Sequence, residues 1–141
     1  MNPFQSPRDY ERLVYTLQSQ FPEITSSKLV IQRRGRLFAE LTGEFFFSNG
    51  RRLVAYERLS WDTGPIQIIG YSYETWRGNE KLYWCDSQPH PSDPELASTH
   101  PHHKHMPPDI KHHRIPAPSL TFTAPNLTLV IKEFCSSIHQ A

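Results

Sequence analysis

Seven of the eight histidines lie in the 24 residues from His90 to His113, and the densest part reads Thr99-His100-Pro101-His102-His103-Lys104-His105. Imidazole is the one side chain whose ordinary pKa lets it give and take protons near neutrality, and it is the commonest metal ligand. Two chemistries follow. The first is acid–base catalysis without a metal. Cleaving RNA through its own 2′-hydroxyl needs a base for that hydroxyl, an acid for the leaving 5′-oxygen, and a cation beside the developing phosphorane charge. His102, His103 and His105 supply an acid–base pool, Lys104 the cation, and Asp86 or His90 a group to orient one imidazole. Tyr71, Tyr73 and Tyr83 offer rings on which bases stack, and Arg51 and Arg52 a basic rim for phosphates.

The second chemistry is metal binding. Zinc takes three or four N, O or S ligands in tetrahedral array. His100, His102, His103 and His105 are dense enough for this, with Asp86, His90 or Asp109 as further ligands. The spacing matches no established zinc pattern, and adjacent residues on a proline-stiffened strand diverge. Side chains two apart, such as His103 and His105, point the same way. Two ligands are therefore expected to converge and four are not, so no metal cofactor is assigned and the expectation is weak or adventitious Zn2+ binding. A third reading makes the histidines structural, anchoring the loop on its own carbonyls. His112 and His113, beside Lys111 and Arg114, read as solvated, and His139 as a charge favourable to a helix C-terminus.

A small fold must position these residues. A chain of 141 residues suits one domain, residues 1–141, with one core. Ser6-Pro7-Arg8-Asp9 is a helix start, with a hydroxyl cap, Pro in the first turn and an acid after it. Tyr10, Leu13, Val14, Leu17 and Phe21 then recur at helical spacing until Pro22, which predicts a helix over 7–20. Residues 28–86 read as an antiparallel meander of four to five strands. Ser27 to Arg34 is a short extended lead-in, and Ser48-Asn49-Gly50 between β-prone runs marks a hairpin. Ile66 and Ile68 are expected on one face of the next strand, and Ile69, Tyr71 and Tyr73 on the other. Residues 87–125 hold nine of the 13 prolines and show no sustained period, so they read as a long His/Pro-rich loop. Leu127, Val130, Ile131, Phe134 and Ile138 predict a closing helix over 126–139. The expected class is α+β, a sheet with an N-terminal and a C-terminal helix packed on it.

A net charge of +1 excludes a general polyanion binder, although Lys28, Arg33, Arg34 and Arg36 cluster locally, as do Arg51 and Arg52. Cys85 and Cys135 stand 50 residues apart with no Cys-x-x-Cys spacing. The chain opens on no signal-like segment, and no apolar run reaches the ~18 residues of a membrane span. Both features predict a cytoplasmic protein with reduced thiols and no membrane association.

The run Tyr71-Ser72-Tyr73, then Leu82-Tyr83-Trp84-Cys85-Asp86-Ser87-Gln88-Pro89-His90-Pro91, then Thr99 to His105, resembles the TumE-like family of toxin–antitoxin proteins. Asp86, Pro89, His90, Thr99, Pro101, His102, His103, Lys104 and His105 match its pattern. Ser48-Asn49-Gly50 with Arg51-Arg52-Leu53 resembles the family's hairpin, so the likeness runs from about Leu37 to Ile138. Cys85 stands where the pattern has an aromatic residue, Ser87 where it has Asn, and His100 where it has Phe. The resemblance implies a small prokaryotic protein whose partner is a helix-turn-helix antitoxin. The resemblance implies no particular reaction; RNA as a target is the expectation drawn from the histidine, lysine and aromatic residues above, a homodimer is compatible, and the alternative is a non-enzymatic interaction module whose histidines are structural or bind a metal.

Overall fold

The computed structural model describes residues 2–139, the side chain of His139 excepted. Helix α1 spans Pro7–Gln20, and Ser6 caps it by accepting the Asp9 amide through its hydroxyl at 3.2 Å. Its apolar stripe of Tyr10, Val14 and Leu17 is buried, as the spacing predicts. Helix α2 spans Leu127–His139. The buried side chain of Asn126 clamps Thr121 at the helix entrance, accepting its N–H at 3.0 Å and donating to its carbonyl at 2.8 Å.

Between the helices lie β1 (Ile24–Arg33), β2 (Phe38–Phe47), β3 (Arg51–Ser60), β4 (Gln67–Arg77), β5 (Glu80–Asp86), β6 (His103–His105) and β7 (Arg114–Pro116). They form one antiparallel sheet of seven strands in chain order, which corrects the expected four to five. Two causes explain the difference. β1 is an edge strand of ten residues, and its Thr, Ser, Lys and Gln side chains make it read only as a short extended lead-in. The stretch 87–125 is not structureless. It carries a 3-10 turn, Pro94–Thr99, and two strands of three residues each, too short to show a period.

The Asn-Gly hairpin is present. Asn49 and Gly50 have φ of 63° and 72°, and the Arg51 amide donates to the Ser48 carbonyl. Gly43 holds β1 against β2, because a Cβ there would lie 2.0 Å from the Lys28 carbonyl oxygen. In β4 the pairing shifts from Arg58 opposite Gly70 to Leu59 opposite Ile68, leaving Ile69 as an extra residue. That bulge reverses the alternation. Ile68, Tyr71 and Tyr73 consequently share the buried face while Ile69 is exposed, contrary to the simple alternating reading.

One apolar cluster joins Tyr10, Val14 and Leu17 of α1 and Leu127, Val130, Ile131 and Phe134 of α2 to Leu41, Phe45, Leu53 and Tyr73 of the sheet. Both helices thus cover the same face. Within this core lies Glu57, wholly buried, whose carboxylate accepts from the Tyr10 hydroxyl at 2.5 Å and from the Tyr73 hydroxyl. Burial pushes its pKa up to about 7, against the pull of the two phenols. No helix among the described residues is long and apolar enough to cross a membrane.

Candidate functional site

The site lies on the face away from the helices, at the β5–β6–β7 end of the sheet. Pairing sets Trp84 opposite His105, Cys85 opposite Lys104, and Asp86 opposite His103. Side chains alternate along a strand, so Trp84, Asp86, His103 and His105 share one face while Cys85 and Lys104 share the other. β7 then sets Arg114 opposite His105. The chain leaves β5 by a local turn, in which Asp86 Oδ1 accepts the Gln88 amide at 3.0 Å and Ser87 Oγ accepts the Tyr71 amide at 3.0 Å. Thr99 ties the return segment down, donating to the His102 carbonyl at 2.7 Å and accepting the Ala117 amide at 3.4 Å.

His103 Nε2 lies 2.9 Å from Asp86 Oδ1, His105 Nε2 lies 3.3 Å from Asp86 Oδ2, and the two Nε2 atoms are 3.0 Å apart. Each imidazole is oriented from behind: His103 Nδ1 is 3.0 Å from the Pro101 carbonyl and His105 Nδ1 is 2.9 Å from the Ile110 carbonyl. Trp84 Nε1 donates to Asp86 Oδ2 at 2.6 Å. The Trp84 ring also stacks on His105, centroids 3.6 Å apart, with the Lys81 ammonium 4.2 Å from its centroid. His103 and His105 are 1% and 3% exposed, so the centre is sealed except on the Asp86 side.

The titration of these groups follows from that packing. Burial pushes Asp86 up, but hydrogen bonds from His103, Trp84 and the Gln88 amide outweigh it and hold the carboxyl at about 2. Burial lowers His103, yet its hydrogen bonds to Asp86 and Pro101 leave it above the ordinary imidazole value. His105 is held below that value, chiefly by burial, which outweighs the attraction of Asp86. His90 packs edge-on to His103 with centroids 4.8 Å apart, and burial together with the Arg114 charge lowers its pKa. His102 lies parallel to Tyr71, whose hydroxyl is 2.7 Å from His102 Nδ1, and burial lowers its pKa as well. An open cleft of about 610 Å3 reaches this region, lined by Tyr56, Arg58, Ser72, Asp86, Pro89 and Pro101.

Of the residues singled out in the sequence, Asp86, His90, His103 and His105 come together, and His102 stacks on Tyr71, which lines the cleft. Lys104 does not join them. The alternation of β6 turns it to the helix face, where it pairs with Glu133 and sits 4.2 Å from the Tyr83 ring centroid. Tyr73 is wholly buried with its hydroxyl on Glu57, and Tyr83 is packed between Lys104 and Phe134, so neither ring has a face to offer a base. Arg51 and Arg52 lie at the far end of the sheet. Arg51 pairs with Arg77, five residues along β4 from Ser72, the partner of Asp86, which is roughly 17 Å at strand rise. Arg52 is committed to Glu44 at 3.4 Å and to the Trp76 ring. His112 and His113 are exposed, as expected. Arg114 is the residue that the sequence reading missed. It supplies the cation on the histidine face, and its Nε is buried without a hydrogen-bond partner. Only its place opposite His105 on a three-residue strand reveals it.

Neither the curated proteins nor the solved structures contain a match to this chain. The family model described as Toxin TumE matches residues 12–139, a wider span than the stretch from Leu37 on which the motif resemblance rests. The match takes in most of α1, all seven strands, α2 and the whole Asp86–His103–His105 cluster, and the chain belongs to the TumE toxin family.

Proposed function

We propose that this chain is the toxin of a toxin–antitoxin pair and that it cleaves RNA at the Asp86–His103–His105 cluster. The observation that carries the reading is the convergence of two imidazoles on one carboxylate, beside a guanidinium with an unpartnered Nε, at the wall of an open cleft. Family membership supports the toxin role. A helix-turn-helix antitoxin is the partner that this reading names.

The roles follow exposure. Arg114 takes the phosphate charge, the part that the sequence alone gives to Lys104. His90 and His102, both half-buried and next in the chain to Pro89 and Pro101 of the cleft wall, exchange protons with the substrate: one takes the proton of the 2′-hydroxyl, and the other protonates the leaving 5′-oxygen. The attacking 2′-oxygen forms the new bond to phosphorus as the bond to the 5′-oxygen breaks. Arg58 and Tyr56, on the cleft wall, are available to the nucleotide itself.

Purified toxin is incubated with cellular RNA, and growth arrest is scored with and without the antitoxin. Asp86→Asn and Arg114→Met are expected to abolish cleavage and arrest together while antitoxin binding is kept. Intact RNA from wild-type protein that still arrests growth refutes the nuclease. The burial of His103 and His105 favours one other reading, in which they hold the β6 edge in shape for a protein partner. In that case His103→Ala with His105→Ala lowers thermal stability and partner binding in step with toxicity.

A further inference from the structure

We propose that Asp86, His103 and His105 bind one divalent transition-metal ion of the zinc class. The hydrogen bonds behind the rings decide the matter. A carbonyl oxygen only accepts, so the Nδ1 atoms facing Pro101 and Ile110 both carry the N–H. In its neutral form each imidazole therefore aims a bare Nε2 lone pair into the cluster. Those two lone pairs and the Asp86 carboxylate face one another, with all three ligand atoms within 4.8 Å. Electron pairs at such range repel unless a cation lies among them. A proton on His103 Nε2 is shared between Asp86 at 2.9 Å and His105 Nε2 at 3.0 Å, and leaves the 3.3 Å edge between His105 and Asp86 without one. One metal ion satisfies all three.

The three candidate ligands are themselves held in place from behind. Backbone carbonyls fix both ring orientations, and Trp84 and the Gln88 amide hold the two carboxylate oxygens. The donor set of two imidazoles and one carboxylate suits zinc, iron, cobalt or nickel rather than calcium or magnesium, which prefer oxygen. Three protein ligands leave a coordination position free, as in catalytic rather than structural zinc sites. Arg114, opposite His105 in β7, puts a positive charge on this face and favours an anion there, such as a phosphate oxygen. Asp86, one of three further ligands offered by the sequence beside His90 and Asp109, is the one that joins the two histidines, brought across 17 residues to His103 by β5–β6 pairing.

The proposal shares its residues with the RNA-cleavage reading but not its outcome. An ion held there would act as a Lewis acid toward a phosphoryl oxygen or a bound water. Untagged full-length protein, stripped with EDTA and dialysed, is titrated with CoCl2 while visible absorption and melting temperature are recorded. The expected result is one Co2+ per chain, d–d bands of a low-coordinate N/O site, a raised melting temperature, and displacement by Zn2+. His103→Ala and His105→Ala should each weaken binding at least about 100-fold, and Trp84→Phe about 10-fold, while His112→Ala and His113→Ala leave it unchanged. Absence of saturable one-to-one binding to folded wild-type protein overturns the proposal without any variant. So does binding that survives in the folded double variant, which would locate the ion on surface histidines. RNA cleavage followed in the same samples separates the two readings: an ion bound with RNA intact refutes the nuclease and keeps the site, and cleavage by protein that binds no ion does the reverse.

Discussion

Replacing Glu57 by Gln should make the protein more stable at neutral pH, although it removes a charged residue that accepts two hydrogen bonds. In the folded chain the Glu57 pKa is raised from 4.5 to about 7. A carboxyl raised in this way is protonated in both states below pH 4.5 and imposes no penalty there. Between 4.5 and 7 the unfolded chain releases the proton and the folded chain keeps it, so stability falls as pH rises. At about 1.4 kcal/mol for each pKa unit, the cost at pH 7 is about 3 kcal/mol. The amide introduced by Glu57→Gln does not titrate. Its oxygen keeps an acceptor for one phenol, and its NH2 group donates to the other. For a chain of this size the gain is about 10 °C in melting temperature at pH 7. Urea unfolding of wild-type and Glu57→Gln protein from pH 4 to 8 measures it directly. The difference between the two curves should be near zero at pH 4, grow through pH 5 and 6, and level off above pH 7. Curves that stay parallel across this range would refute the assignment, since every other titrating group is common to both proteins.

Four further outcomes follow from the packing. Gly43→Ala drives a Cβ into the β1 backbone and should cost at least about 2 kcal/mol, with hydrogen-exchange protection lost first in β1. Arg114→Met should lower RNA cleavage by at least about 100-fold, with circular dichroism unchanged. Lys104→Met should leave cleavage within about 2-fold and move stability by less than about 1 kcal/mol, because its ion pair with half-exposed Glu133 is screened. Cys85 and Cys135, buried with their thiols pushed up to about 12 and about 11, should resist thiol reagents at pH 8 until the chain is unfolded.

The helices and the first hairpin were legible because their signals are local. Ser6, Pro7 and Asp9 cap a stripe with helical period, and Asn49-Gly50 marks a turn wherever it falls. β6 and β7 were not legible, since three residues cannot display a period. That omission carried the misplacement of Lys104 with it: once His103–His105 is a strand, Lys104 must face away from its neighbours. The bulge at Ile69 escaped for a related reason. A single inserted residue reverses the alternation, and nothing in the local composition announces it. Glu57 was overlooked because a charged residue on a strand is ordinarily solvated, and its two phenol partners come from 47 residues before it and 16 after it. The candidate site was half legible. Histidine density located it and Asp86 was among the candidates, but the choice of His103 and His105 as its partners and the entry of Arg114 depend on register.

The strict chain order of the sheet bears on when the histidine cluster is assembled during synthesis of the chain. Every strand pairs only with its neighbours in sequence, so the sheet extends in the direction of translation, without waiting for a distant partner. Asp86 is in place when β5 forms, but its histidines arrive with β6 and the guanidinium with β7, the last strand before α2. A nascent chain thus carries a growing sheet in which the cluster of Asp86, His103, His105 and Arg114 is incomplete until β7 has left the ribosome. That interval is when an antitoxin can be made and waiting.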